Sequence, residues 1–385
     1  MSPGELPGLF CLNIGRIYLG MVLINLPFYI NVVHDRITQI AIVCLLNRYE
    51  VLQLKSFSFM EVYVKKELLK KILKIVGRVV LGILGIFAAF LLFVKIWNEI
   101  AMSREKELLE SHPGEFVEVD GRNMNIYVEG VGEHTIVFMS GWGTESPIYD
   151  FRPLYSKLSN EYKCVVIEKF GYGFSDEIDG ERDFDTILRQ DREALKKMGI
   201  EGPFILCPHS LSGLEATLWA QKYPEEVEAI VGLDMSSANY DGLAEIKESF
   251  AQKSMINLNK VVRFLGINRF LMTISEYDET YTEEEWKQYT ALVCKNQSND
   301  TVCRENDAIG EVCEEINAAA LPDTPTLQFI STYNSNYEYW KSTHQELVDA
   351  SSYGKLIELD CGHYLHQFES ERIAEEMKEY IENLG

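Results

Sequence analysis

Phe204-Ile205-Leu206-Cys207 is a short apolar run that meets Pro208-His209-Ser210 and passes, with no intervening loop, into the helical pattern Leu211–Lys222. A strand that turns straight into a helix must lay that helix back across its own sheet, which commits this part of the chain to a parallel α/β arrangement. Gly213, Ala216 and Ala220 keep one face of the helix thin, as close approach to a sheet requires. Further strands are expected at Thr135–Met139, Cys164–Glu168, Ala229–Leu233, Thr326–Ile330 and Lys355–Leu359, with a hairpin of Phe116–Val119 and Asn125–Glu129 across Asp120-Gly121. Helical patterns follow at Phe184–Met198 and Glu369–Asn383. Short apolar strands alternating with amphipathic helices predict a mostly parallel sheet covered on both faces. The alternation stops over residues 238–320, which are helical, polar and rich in Tyr and Glu. That stretch reads as a cap inserted between core segments 115–237 and 321–385.

The segment Pro208-His209-Ser210-Leu211-Ser212 resembles the nucleophile elbow of α/β-hydrolases, in which small residues stand two positions either side of the serine. Pro208 and Ser212 occupy the places usually held by glycine, and Pro208 is acceptable only where the sheet does not need its missing N–H. Thr135–Gly143 resembles the family's strand and oxyanion turn, with Ser140 for the usual His. Glu168-Lys169-Phe170-Gly171-Tyr172-Gly173-Phe174-Ser175 resembles its D-x-x-G-x-G-x-S turn, read as structural, and Cys361-Gly362-His363 resembles the turn that presents the base. The motifs stand in family order over about residues 114–385. The resemblance implies an α/β-hydrolase fold with Ser210 as nucleophile and His363 as general base. The backbone N–H groups of Trp142 and Leu211 would form the oxyanion hole. It implies no metal and no organic cofactor. His209 is expected to pack or bond locally, and His366 to lie on a surface turn.

The third member of the triad is harder to place. In most of the family the acid follows the penultimate strand, but Ser331 to Tyr337 contains no Asp or Glu, and the first carboxylate is Glu338. Asp234 ends the preceding strand, Ala229–Leu233, at its carboxyl edge, where other α/β-hydrolases carry the acid. Asp234 is the choice, with Glu338, a cap carboxylate or no acid at all as alternatives.

Upstream, Ile72–Trp97 is the longest apolar stretch, and Val79–Val94 carries no charge. A bilayer span needs about 20 such residues. Lys65, Lys66, Lys70 and Lys71 precede it, and mixed charges from Glu99 to Glu107 follow. The positive-inside bias therefore predicts a single-pass anchor over 72–97. The N-terminal segment 1–71 would be cytoplasmic, a charged linker helix would span 98–114, and the large domain would lie outside the cytoplasm. Met60 opens a basic lead-in of its own, which suggests a start there and leaves 1–59 as upstream sequence. Residues 1–110 hold 13 Lys+Arg and 9 Asp+Glu, whereas the rest holds 23 and 50. A surface so acidic repels phosphate backbones, so no nucleic-acid partner is expected.

The eight cysteines form no CxxC pair. Cys294, Cys303 and Cys313 are close enough in sequence for two of them to form a disulfide, and Asn296 and Asn299 open glycosylation sequons. Together these features predict a serine hydrolase acting on a small-molecule ester, thioester or amide. The cap's Phe264, Phe270, Tyr277, Tyr281, Trp286 and Tyr289 favour a hydrophobic acyl or aryl group. The alternative is an inactive binding or scaffold protein at the membrane on the same fold.

Overall fold

The computed structural model describes residues 59–239, 250–275, 281–334 and 337–384, with side chains from residue 66 on in the first helix and from residue 253 in a later one. The readings made for residues 1–58, the Met60 and Lys65 side chains, and Tyr277 lie outside the described residues. The described residues fall into two compact units, one within 59–97 and 270–286 and the other within 98–269 and 287–384.

Helix α1 (Phe59–Arg104), which belongs to the first unit up to Trp97, runs well beyond the apolar stretch that predicts it. From Leu68 to Phe90 its side chains are exposed, and Phe90 meets Phe270 edge-on at 5.5 Å. Among the described residues it is the one helix long and apolar enough to cross a bilayer.

The second unit is built on an eight-stranded sheet in the order β1-β2-β4-β3-β5-β6-β7-β8. The strands are β1 (Glu115–Val119), β2 (Arg122–Glu129), β3 (Thr135–Met139), β4 (Lys163–Glu168), β5 (Phe204–Pro208), β6 (Val227–Leu233), β7 (Thr326–Ser331) and β8 (Gly354–Leu359). The β1–β2 hairpin is antiparallel and joins β4 antiparallel, and every pairing from β4 to β8 is parallel. Successive side chains of a strand point to opposite faces, which the core follows. Val137 and Met139 join a cluster with Phe184 and Leu188 of α4 (Phe184–Lys197) and Leu214 and Trp219 of α5 (Ser212–Lys222). Phe138 instead meets Phe151 of α3 (Pro147–Leu158) at 5.3 Å on the other face. Strands β3, β5 and β7 are buried along their whole length, as coverage of both faces demands.

Between β6 and β7 lie α6 (Phe250–Leu265), α7 (Ile267–Ile274), α8 (Glu283–Asn296), α9 (Asp300–Glu305) and α10 (Ile309–Asn317). Two helices close the chain beyond β7 and β8, α11 (Tyr337–Ala350) and, after the one-turn α12 (Leu365–Phe368), α13 (Ser370–Glu382). Residues 98–111, including the short α2 (Lys106–Glu110), are fastened to this unit. Arg269 donates from Nε to Asn98 Oδ1 at 2.9 Å and forks onto both Glu105 oxygens at 2.6 Å, while Gln288 Nε2 donates to the carbonyls of Leu108 and Ser111.

Cys294, Cys303 and Cys313 are all free thiols. The sequon amides Asn296 and Asn299 are buried, donating to the carbonyls of Glu145 and Gly173 and of Gly171 and Asn296 respectively, so neither can accept a glycan in the folded chain.

Candidate active site

Ser210 sits on the turn from β5 to α5 with φ +54°, a left-handed conformation that costs a non-glycine residue energy and persists only where the surroundings enforce it. The enforcement is visible. Ser210 N donates to Leu233 O at 3.3 Å, and its own carbonyl accepts from Ser236 N at 2.7 Å and Gly213 N at 3.0 Å. A Cβ on Gly213 would lie 2.5 Å from Ser236 O, so α5 can start this close to the sheet only with glycine there. Ser212 is more than a small residue: its hydroxyl bridges the carbonyls of Met139 and His209 at 2.7 and 2.8 Å, tying the elbow to the end of β3. Pro208 is accommodated by a break in the ladder. His209 N donates towards β3, at Met139 O, so the position before it faces β6. There the β5–β6 pairing stops at Leu206↔Ile230 and resumes only as the bridge His209↔Leu233.

The structure brings Ser210, Asp234 and His363 into one hydrogen-bonded series beyond the carboxyl ends of β5, β6 and β8. His363 Nε2 lies 2.9 Å from Ser210 Oγ, and its Nδ1 lies 2.6 Å from Asp234 Oδ2. Asp234, at the end of β6, also has positive φ (+47°). Its carboxylate is buried, and Oδ1 accepts from Ser331 N at 2.9 Å and Trp340 Nε1 at 2.7 Å. The end of β7, which lacks an acid, thus contributes an amide donor to the acid of its neighbour. Glu338 is placed in the first turn of α11 and takes no part in the series. Trp340 and Ser331 were not singled out from sequence, and no local pattern marks them; only the packing of α11 brings the indole to Asp234.

Opposite the elbow, the turn after β3 comes so close that a Cβ on Gly141 would lie 2.8 Å from Ser210 Cβ. Among the described residues neither the Trp142 nor the Leu211 amide has a hydrogen-bond acceptor, which leaves both donors available beside Ser210. The Trp142 indole donates from Nε1 to Val302 O of α9 at 2.8 Å, fastening this turn to the insertion. The turn after β4 is tied down by Glu168, whose Oε2 accepts from Phe174 N at 2.8 Å and Asn125 Nδ2 at 3.0 Å. Burial pushes the Glu168 carboxyl up, against the hydrogen bonds that favour its charge. Beyond it, Arg182 pairs with Glu305 in a buried cluster with Lys169, Glu215 and Asp191, and Tyr172 Oη donates to Glu305 Oε2 at 2.6 Å. Burial, and then the Glu215 charge, hold the Asp191 carboxyl well above the usual carboxylate range.

His366 is corrected outright: it is fully buried, its Nε2 2.9 Å from Asp150 Oδ2. His209 is buried beside it, with Nε2 3.1 Å from His363 O. Burial, and then the neighbouring His363 and His366 rings, depress the His209 pKa well below its ordinary value and keep the ring neutral. Asp150, His209 and His366 offer ligand-type atoms within 4.8 Å of one another. Each already commits a polar atom to a protein partner, Asp150 also to Gln367, so the cluster acts as a brace behind the turn that carries His363.

Residues 134–296 match the family model described as alpha/beta hydrolase fold. Over 322 residues the chain is 32% identical to the uncharacterized protein YbdG of Bacillus subtilis (strain 168), an alignment covering 81% of this chain and 97% of that protein. A pimeloyl-[acyl-carrier protein] methyl ester esterase of Shewanella woodyi is 30% identical over 155 residues, 37% of this chain and 56% of the esterase. Among solved structures, Cfl2 from Burkholderia cenocepacia superposes with TM-score 0.54 at 17% identity, covering 69% of this chain and 94% of that one. A haloalkane dehalogenase DbeA variant from Bradyrhizobium elkanii does so with TM-score 0.54 at 17% identity, covering 70% and 96%. The two structures speak for the fold alone. With the strand order, the elbow and these likenesses in hand, the chain belongs to the α/β-hydrolase superfamily of enzymes.

Proposed function

We propose that this chain is a serine hydrolase that cleaves an ester, thioester or amide through an acyl-enzyme on Ser210. The observation that carries the reading is the continuous series Ser210 Oγ–His363 Nε2 and His363 Nδ1–Asp234 Oδ2 at 2.9 and 2.6 Å. His363 takes the hydroxyl proton as Oγ attacks the carbonyl carbon. Asp234 holds the ring with Nδ1 protonated and stabilises the imidazolium that forms. The oxyanion is met by the Trp142 and Leu211 amides. His363 then delivers the proton to the leaving group, and water resolves the acyl-enzyme by the same steps in reverse. The likeness to a methyl ester esterase favours an ester among the three linkages.

The enzyme is anchored by α1, with the hydrolase domain outside the cytoplasm. This rests on the uncharged run Val79–Val94 behind the Lys65–Lys71 cluster. A fluorophosphonate probe tests the chemistry: it should label the wild type and leave Ser210→Ala unlabelled. Equal labelling of both would place the nucleophile elsewhere, and no labelling of a folded wild type would favour the scaffold alternative. Protease added to intact cells should digest the hydrolase domain, whereas protection would reverse the topology.

A further inference from the structure

Asp234 lies in the core with no cationic side chain against it. The residue is 2% exposed, and among the described residues no Lys or Arg forms an ion pair with it. A buried carboxylate is then stabilised by the hydrogen-bond donors around it. Three are present. Ser331 N at 2.9 Å and Trp340 Nε1 at 2.7 Å both donate to Oδ1, and His363 Nδ1 lies 2.6 Å from Oδ2. The Ser331 donor is main chain and comes with the end of β7. The Trp340 donor is a side chain, and α11 has to deliver it.

Trp340 is 5% exposed, in the first turns of α11. One turn on, the fully buried His344 donates from Nδ1 to Trp340 O at 2.8 Å, its ring 4.8 Å from the indole. The helix thus holds the indole in place while its N–H points at Asp234. A donor on Oδ1 has two effects. It fixes the rotation of the carboxylate, so that Oδ2 faces the imidazole. It also draws negative charge away from Oδ2, which weakens the attraction to a protonated ring. The other titratable groups facing the base or the acid are His209 and Tyr364, whose rings lie 4.7 and 5.7 Å from that of His363, with His344 and Cys361. Burial depresses the pKa of His209 and of His344 and pushes the Cys361 thiol up to about 12. The charges of Asp360, Glu369 and Arg372 reach that thiol from the same turn and from α13, and Asp150 is paired with His366.

We propose that Trp340 is a positioning residue of the triad: its indole N–H turns Asp234 Oδ2 onto His363 and tempers the pull of the carboxylate, leaving the ring free to take the Ser210 proton. The proposal rests on the reading of Ser210, His363 and Asp234 as a triad. Trp340→benzothienylalanine tests it, because sulfur replaces the N–H in a side chain of almost the same shape. The readout is the rate of labelling by a fluorophosphonate, followed for the full chain in detergent micelles from about pH 5 to about pH 9. Attack on the probe needs an unprotonated base, so the rate has a low-pH limb. Without the indole donor the carboxylate holds the imidazolium more tightly, and the limb should move up by about half a pH unit. Trp340→Phe lacks the same donor and is smaller, so it should show the same displacement with a lower melting temperature. A limb that stays in place in a folded variant, or moves down, would overturn the proposal and leave the indole as core packing alone. So would a folded variant that labels at no pH, since that loss exceeds what one donor on Oδ1 accounts for. Ser210→Ala reports the triad reading separately. If it labels like the wild type, or if the wild type labels without a low-pH limb, that reading fails whatever position 340 shows.

Discussion

Ser210 and Asp234 share a left-handed backbone conformation, and both side chains hydrogen-bond to His363. A strained residue at each end of one hydrogen-bonded series is the kind of arrangement that surrounding structure must hold in place. The rest of Asp234's surroundings speak to its charge: two donors on Oδ1 stabilise the carboxylate while Oδ2 is kept for the imidazole. Asp234→Asn retains the shape and the bond from Ser331 N but favours the wrong imidazole tautomer. Its kcat on a short activated ester should fall about 10⁴-fold with the melting temperature little changed. If it turns over normally while Glu338→Gln does not, the acid lies on α11. Gly141 tests the opposite wall. The Cβ of Gly141→Ala would press on Ser210 Cβ, so either the turn after β3 or the elbow must shift. The expected result is a loss of kcat of about 100-fold, since a misplacement of about 1 Å costs that much, with far-ultraviolet circular dichroism unchanged.

Elements show how far the sequence could be read. Residues Phe204–Gly213 announce a strand, a sharp turn and a helix because each demand is local: apolar run, small residues, thin helix face. The same holds for β3 with its turn and for Gly362-His363. What the chain does not display locally is assembled from distant elements. Trp340 reaches Asp234 across 106 residues, and Asp150 meets His366 across 216, so neither contact leaves a periodic or spaced signature. His366 was misplaced because a short polar-looking turn hides how deeply α12 is buried. The helix α4 carries a further element-scale consequence through Asp191. Its folded pKa is raised above the unfolded value of 3.8. The stability it contributes is therefore fully present below about pH 3.8 and is lost as pH rises through the folded pKa. Asp191→Asn abolishes that loss. The difference in unfolding free energy, variant minus wild type, should grow by about 1.4 kcal/mol per pH unit from about pH 4 upward until the folded pKa is reached. Urea denaturation between about pH 4.5 and 7 measures it, and a difference independent of pH would show that Asp191 is ionised in the fold.

At the scale of the whole molecule, residues 98–112 belong to the same compact unit as the eight-stranded sheet. A chain truncated to begin at Pro113 takes Glu105 and Asn98 away from the buried Arg269 guanidinium, and removing one partner of a buried ion pair is costly. It should be less stable than one beginning at Asn98 by about 3–5 kcal/mol in chemical denaturation. Equal stabilities would mean that residues 98–112 are a passive linker. The bond from the Trp142 indole to the carbonyl of Val302 gives the insertion an unusual evolutionary latitude. Because the acceptor belongs to the main chain, any side chain at position 302 that fits its site preserves the bond, whereas adding or deleting one residue in α9 moves the carbonyl out of reach. The surface of the insertion can therefore diverge by substitution, while the length of α9 stays locked to the turn beside Ser210.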